Sequence, residues 1–390
     1  GFDEAAYESA AELPTYYRAM NLPPRQEHPF HLYDAIRRQP ELVAQALKTI
    51  VPVAKPMARE IAARHPQRIL LTGIGASYDL AATAAHIFSK LTGLPAHWTD
   101  SAEAIAAGVS SDYPDTVVIG LSASGNTLET VDHLRLAREA GAYTLAFVNL
   151  DNTRLTAAAH DRYVAPGGYG LVWDYSTRLA ALTVLAIELA QELGRPAEPL
   201  SQLQAMLNEV PAQMQQVLDD VDERCRSLGA LTTSLRAAVV VSSGALLPTT
   251  WEMSLRFEEM AHFPARGRSV VEFLHGGVGY LAPDILTVLL VPHADAHAAM
   301  LRVAKVTQTL KTPFSAIVDH DEREISRLAD SVVRLPKTDP LISPLLYVLP
   351  AQLIPYYTEV ARPGGNPDVQ RTDQPIYARA FDVAYPPKSH

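Results

Sequence analysis

From Gly120 to Thr127 the chain reads Gly-Leu-Ser-Ala-Ser-Gly-Asn-Thr, with hydroxyls at Ser122, Ser124 and Thr127 around the glycine at 125. An apolar β-type run, Thr116–Ile119, leads into it, and a helical pattern from Thr127 to Leu134 leads out. A strand that ends this way aims hydroxyls, a closely approaching backbone and unpaired helix N–H groups at one spot. Such a spot suits a phosphate or a similar anion. The plainer alternative is that Ser124 or Asn126 only caps the helix. One cap needs one hydroxyl, however, and three are present, so the segment is read as an anion site. Within it, Ala123 offers only its backbone N–H, and Gly125 lets the backbone close in.

A second stretch points the same way. Arg68–Thr72 is a short apolar strand, followed by Gly73-Ile74-Gly75-Ala76-Ser77-Tyr78 and a helical run to about Lys90. Gly-x-Gly alone is a weak signal, because many strand-to-helix turns need glycine for backbone reasons only. It is not a dinucleotide fingerprint, since Tyr78 stands at the third glycine position. No Gly-Lys-Ser/Thr of a nucleotide P-loop occurs either. What remains is Ser77 at a helix start, beside Gly75 and Ala76, as a further hydroxyl for the same kind of ligand.

Length and composition bound the rest. At 390 residues, two domains of ordinary size are expected. The formal charge of −10 argues against a nucleic-acid surface. No apolar run reaches membrane-spanning length, and the start, Gly1-Phe2-Asp3-Glu4, lacks the charged and apolar regions of a signal peptide. A cytoplasmic protein with no membrane contact is expected. Cys225 is the only cysteine, which excludes a disulfide scaffold, a structural zinc cluster and a redox pair. Neither a cofactor nor a metal is called for.

The elements that must position these residues alternate. Helices are expected over Leu32–Leu47 and Val53–Arg64, a strand at 68–72, a helix at 77–92, and a short strand near Ala96–Thr99. A helix near Ala102–Ala107, strand 116–121, helix 127–140 and strands 144–149 and 162–165 follow. A long helix from about Ser176 to Leu193 and a polar helix from about Leu200 to Arg226 complete the first half. Short apolar strands alternating with amphipathic helices imply a parallel sheet covered on both faces. The second half replays the first. Strand 68–72 matches Ala237–Val241, Gly75 falls on Gly244, and 116–121 matches Ile285–Leu290. Thr144–Asn149 matches Pro313–Val318 and Arg162–Pro166 matches Ser331–Pro336, all near one offset of 169 residues. This is read as an internal duplication. The copies differ at the anion loop, where Ser122-Ala123-Ser124-Gly125 corresponds to Val291-Pro292-His293-Ala294. The second copy is then free to supply something else, and it offers the helix Trp251–Met260 and the run Glu272-Phe273-Leu274-His275-Gly276-Gly277.

Taken together, these motifs resemble the tandem sugar isomerase (SIS) domain family, including the isomerase half of glucosamine-6-phosphate synthase and related phosphosugar isomerases and deglycases. The resemblance runs from the helix around His31–Leu47 to the tail Asn366-Pro367-Asp368, with the step from Glu259 to His275 matching the family's spacing. It implies an α/β fold of two SIS-type, doubly wound parallel-sheet subdomains in tandem, each flavodoxin-like with three αβα layers. Along the chain it implies a helical segment at 1–55, an anion-binding subdomain at 56–196 and a linker helix at 197–227. A subdomain with the catalytic Glu and His follows at 228–350, then a C-terminal helix and tail at 351–390.

The resemblance further implies that Ser77, Ser122, Ser124 and Thr127 hold a substrate phosphate, with Gly75, Ala76, Ala123, Gly125 and Asn126 completing the loops. Glu259 would carry a proton between C1 and C2, and His275, in a loop lent by a neighbouring subunit, would open the sugar ring. A homodimer or tetramer follows. Departures are as informative. Position 123 is commonly polar in the family; Ala76 replaces a frequent Thr; Gly277 stands where a Pro is usual. Arg256, a candidate substrate contact, stands where the aminosugar synthase has a Lys, and the tail lacks the lysine that in that enzyme reaches the open-chain sugar. Trp173-Asp174-Tyr175-Ser176 occupies the sugar-contacting loop, with Asp174 and Ser176 as candidate contacts. With no N-terminal nucleophilic Cys and no amidotransferase domain in the chain, glutamine is not an expected substrate. The expectation is an aldose–ketose isomerase acting through a cis-enediol on a phosphorylated or sulfonated sugar. The alternatives are a sugar–amine phosphate deglycase or deaminase of the same family, in which Asp174 holds the amine, and a non-catalytic sugar-phosphate-sensing regulator.

Overall fold

Apolar runs bounded by turn residues become strands buried on both faces, as expected for parallel sheets under helical layers. A computed structural model describes residues 25–108, 113–170, 172–292 and 297–385. After a first helix α1 (His31–Ala63) come β1 (Arg68–Gly73), α2 (Ala76–Thr92), β2 (Ala96–Asp100), α3 (Ser101–Ala107) and β3 (Thr116–Leu121). Then follow α4 (Leu128–Glu139), β4 (Tyr143–Val148), α5 (Arg154–Ala158), β5 (Asp161–Val164), α6 (Trp173–Glu192) and α7 (Ala197–Thr232). The second series is β6 (Ala237–Ser242), α8 (Leu247–Ala261), β7 (Ala265–Ser269), α9 (Val270–Gly276), β8 (Ile285–Val291) and α10 (His297–Leu310). β9 (Phe314–Asp319), β10 (Ser331–Leu335), α11 (Pro344–Val360) and α12 (Pro375–Ala384) close it.

The first sheet has the order β2-β1-β3-β4-β5 and the second β10-β9-β8-β6-β7, every neighbour parallel. Each is the doubly wound 2-1-3-4-5 order, in which the chain reverses direction between its first and third strands. The duplication is visible in register. Ile69 faces Ala96 and Arg68 faces Thr116; in the second sheet Ala238 faces Ala265 and Ala237 faces Ile285, each residue moved on by 169. Val118 faces Thr144, however, whereas Thr287 faces Phe314, so one residue has been gained before β9. The counterpart of Thr144 is therefore Phe314, not Pro313. Two compact units result, one of Glu41–Asn208 with Arg371 onward, the other of residues 25–40 with Glu209–Gln370. The first is cored by residues such as Val118, Leu134 and Leu155, the second by Val241, Phe273 and Val303.

Some expectations change. The two N-terminal helices are one, α1, running through Pro40, Pro52 and Pro56. An interior proline removes a hydrogen bond and costs a helix about 3 kcal/mol. Ile36, Val43, Ile50, Ala54, Met57 and Ile61 form a continuous buried stripe that offsets the cost. β7 comes from Ala-Arg-Gly-Arg-Ser and has no apolar run at all; it pairs only β6, at the sheet edge. α6 begins at Trp173, not at Ser176, and is buried nearly all round, as an interior helix must be. Cys225, expected in a polar stretch, is wholly buried on the apolar face of α7, and burial pushes its thiol up. Among the described residues no helix is long and apolar enough to cross a membrane.

Candidate active site

In a doubly wound sheet, ligands settle outside the carboxyl ends of the strands, where the order reverses. In the first sheet that point lies between β1 and β3, which run side by side with Thr72 facing Gly120. The two motifs singled out in the sequence are the continuations of these two strands.

The hydroxyl loop after β3 is tightly built. Ser122 Oγ lies 3.3 Å from Ser124 Oγ and 3.1 Å from Thr127 Oγ1. Gly125 N donates to Ser122 Oγ at 3.0 Å and Asn126 N to Ser124 Oγ at 3.1 Å. Each serine oxygen thus already accepts a backbone N–H, and the three hydroxyls, which bond one another, can turn their protons toward a ligand. An acceptor-only group such as a phosphate matches that. Thr127 is the N-cap residue of α4 but makes no side-chain cap bond, so the plain capping alternative does not describe the loop. Gly125 has φ 67°, and a Cβ there would lie 2.2 Å from Thr153 Oγ1. Glycine is needed for both the conformation and the close approach. The loop is moored by Leu155 N to Gly125 O (2.9 Å), Arg154 N to Asn126 Oδ1 (3.2 Å) and Asn149 N to Ala123 O (3.0 Å). Asn126 therefore braces the loop against α5. The counterpart residues His293 and Ala294 of the second sheet lie outside the described residues.

After β1, Gly75 is the N-cap of α2 with φ 58°, Ala76 is its first residue, and Ser77 is buried. Ser77 Oγ accepts a bond from Arg178 Nη1 at 3.1 Å. Arg178 was not foreseen; its signal was the single basic residue of the largely buried helix α6. Trp173, Asp174, Tyr175 and Ser176 were expected in a loop, but they form the buried first turn of α6. Ser176 Oγ donates to Trp173 O at 3.2 Å, and Tyr175 Oη lies 3.1 Å from Thr83 Oγ1.

Behind these loops sits a buried polar chain. Thr72 Oγ1 is 2.8 Å from both Ser101 Oγ and His133 Nδ1, and Ser101 Oγ is 3.1 Å from Thr130 Oγ1. His133 Nε2 has no hydrogen-bond partner among the described residues. Burial pulls the His133 pKa down from 6.5 to about 4, because the charged ring would lose its hydration. Between those two values the unfolded chain binds a proton that the folded chain refuses, so stability falls as pH drops through this window. Across it the loss should be about 3 kcal/mol. In urea titrations from pH 7 to pH 4, wild type should lose that much more stability than His133→Asn. Parallel losses in the two proteins would contradict it.

In the second unit, α8 carries a buried carboxylate–guanidinium chain. Glu252 is fully buried and Arg256 only 3 % exposed. Arg256 Nε and Nη2 bond Glu252 at 2.7 and 3.3 Å, and Arg256 Nη1 bonds Glu259 Oε2 at 2.6 Å. Gln352 Nε2 reaches Glu252 Oε1 at 3.4 Å, and Gln39 Nε2 bonds Gln352 Oε1 at 2.8 Å. Glu259 stands at the outer end of this chain with its side chain 35 % exposed. It is held by a cation rather than isolated in an apolar pocket. Its partner Arg256, expected to touch substrate, is engaged with the two carboxylates. Glu252 was not foreseen, although Glu-x-x-x-Arg on one helix face is an i, i+4 ion-pair spacing. His275, expected in a loop, is an exposed residue in the last turn of α9.

Two doubly wound sheets in tandem, the first bearing a hydroxyl loop at its switch point, define the architecture of tandem sugar isomerase proteins. Residues 63–187 match the SIS domain family, and the chain is a SIS domain protein with two SIS-like parallel-sheet halves. It is 30 % identical over 349 residues to the isomerizing glutamine–fructose-6-phosphate aminotransferase of Thermococcus kodakarensis, covering 88 % of this chain and 57 % of that protein. The corresponding protein of Pyrococcus horikoshii is 26 % identical over 345 residues, 86 % of this chain and 55 % of the other. The chain thus spans somewhat more than half the length of these curated relatives. Among solved structures, the C-terminal domain of glucosamine-fructose-6-phosphate aminotransferase from Francisella tularensis superposes with a TM-score of 0.79 at 17 % identity, covering 86 % of this chain and 97 % of that one. Tagatose-6-phosphate ketose/aldose isomerase from Escherichia coli gives 0.73 at 17 % identity, covering 86 % and 94 %.

Proposed function

We propose that the chain is an aldose–ketose isomerase acting on a phosphorylated sugar, or on one with another anionic end group such as a sulfonate. The observation that carries this reading is the Ser122–Thr127 loop, where three hydroxyls cluster around a glycine and the two serine oxygens accept backbone amides. The isomerizing activity named for the relatives that match most of the chain supports it. In this reading Ser77, Ser122, Ser124 and Thr127 hold the anionic end. Glu259 removes the proton from C2 of the open aldose, the electrons pass through a cis-enediol, and the proton returns at C1 while the O2 hydroxyl proton passes to O1, giving the ketose. Oxidation at C2 balances reduction at C1, so no outside oxidant is needed. One carboxylate on one face of the enediol suffices. His275 opens the ring, and its exposure suits a residue lent to a partner subunit in a two-fold dimer.

The experiment is incubation in D₂O with a panel of aldose phosphates, ketose phosphates, sulfosugars and sugar–amine phosphate adducts. Isomerase activity puts deuterium at C2 or C1 of one sugar pair without loss of any group. Release of an amine from an adduct, with no exchange in plain sugars, would favour a deglycase instead. Ser124→Ala should also weaken binding of inorganic phosphate by about 1–3 kcal/mol, the scale of a hydrogen bond to a charged group. Calorimetry showing unaltered affinity would remove the loop from the site.

A further inference from the structure

We propose that Arg178 is a positioning residue of the anion site, acting through Ser77 rather than on the ligand. The inference rests on the anion-site reading above and adds a residue to it. Arg178 lies on α6, is 1 % exposed and is among the largest fully buried side chains in the chain. Its Nε donates to Asp174 O at 2.9 Å, one turn back on its own helix, and its Nη1 donates to Ser77 Oγ at 3.1 Å. The first bond fixes the plane of the guanidinium, and the second then has one direction only.

Ser77 is prepared to receive it. Its amide donates to Ile74 O at 3.1 Å, closing the turn between β1 and α2. A Cβ on Gly73 would lie 2.8 Å from Ser77 Cβ, so the glycine at 73 lets the serine sit against the end of β1. A hydroxyl has one proton and two lone pairs. With one lone pair taken by a guanidinium N–H, the proton of Ser77 is turned away from Arg178. A hydroxyl that accepts from a cation is also a stronger donor in turn. Ser77 thereby matches Ser122 and Ser124, whose oxygens likewise accept an N–H. In the loop after β3 the backbone supplies those N–H groups; in the loop after β1 the side chain of Arg178 does. A fork-shaped donor held at two points orients the hydroxyl better than a flexible ammonium would.

The test is a double-mutant cycle read by calorimetry with inorganic phosphate and by the KM and kcat of the sugar substrate. Ser77→Ala and Arg178→Met should each weaken phosphate binding about 10- to 100-fold, the worth of one hydrogen bond to an ion. The loss should fall on KM rather than kcat, and the double variant should bind no worse than either single one. Arg178→Lys, which keeps the charge but not the fork, should lose part of the affinity, and none of that loss should persist in the Ser77→Ala background. Additive losses, or an Arg178→Met protein that binds phosphate like wild type, would overturn the inference. If Arg178→Met does not fold, the same cycle with Arg178→Lys decides it, a loss that persists without Ser77 counting against it. Ser124→Ala is the separating control. Weakened binding there, with no coupling between Arg178 and Ser77, removes this inference alone. Wild-type binding in both Ser124→Ala and Ser77→Ala removes the anion site and the inference with it.

Discussion

Glu259→Gln should turn the sugar over roughly 10²- to 10⁴-fold more slowly than wild type, the usual share of a positioned general base. The substitution keeps the shape of the side chain and one acceptor for Arg256 Nη1, which bonds Glu259 Oε2 at 2.6 Å. Fold and substrate affinity should therefore change little. The diagnostic readout is solvent exchange: in D₂O the wild-type enzyme should place deuterium on the reacting carbons, and the Gln variant should not. Glu258, its neighbour, is exposed and is the natural comparison. Glu258→Gln should leave both turnover and exchange near wild type. A Glu259→Gln protein with ordinary turnover would remove Glu259 from the proton transfer and leave the anion loop untouched.

What could be read from the sequence was whatever local residue types decide. The Ser122–Thr127 loop was legible because its hydroxyls, its glycine and the flanking periodicities are contiguous. The two sheets were legible because their central strands are unbroken apolar runs, with β3, β4, β6, β8 and β9 fully buried. Edges were not. β7 pairs on one side only, so its Ala-Arg-Gly-Arg-Ser needs no apolar alternation. Helix starts misled where the usual cap was absent. Ser176 looks like an N-cap, but α6 begins three residues earlier behind Val172, which makes no side-chain cap bond. At α9 a cap is present. Ser269 Oγ accepts Glu272 N at 3.3 Å, and Ser-x-x-Glu is a helix-start pattern, the local signal that puts His275 on a helix rather than in a loop. Contacts between distant segments were out of reach. Nothing local ties Arg178 to Ser77, or Gln39 to Gln352 and on to Glu252.

Those long-range polar chains have a common physical character. Arg178 and the Glu252–Arg256 pair are charges taken almost wholly out of water. Such groups are tolerated only where hydrogen bonds replace hydration, and each ends on a residue with a proposed role, Ser77 in one unit and Glu259 in the other. A buried ion pair is weak evidence for stability as such. Its use here is direction: a side chain held by a rigid, buried partner meets its substrate with little left to order.

That trade can be measured at Arg256. Arg256→Met should destabilise the fold by about 3–5 kcal/mol, the scale for removing one partner of a buried pair. Glu252, with no exposed surface, would keep Gln352 Nε2 at 3.4 Å as a weak donor in place of the guanidinium. Denaturant titration gives the number, and the Glu252→Gln/Arg256→Met double variant should recover most of it, because a neutral amide costs less to bury than an unpaired carboxylate. Activity should follow a different course. The double variant, though stable, leaves Glu259 without the 2.6 Å partner that aims it, so turnover should stay low while stability returns. Stability and turnover recovering together would mean that the ion pair serves only the fold. Turnover lost in the stable double variant would show that Arg256 positions Glu259 for the chemistry.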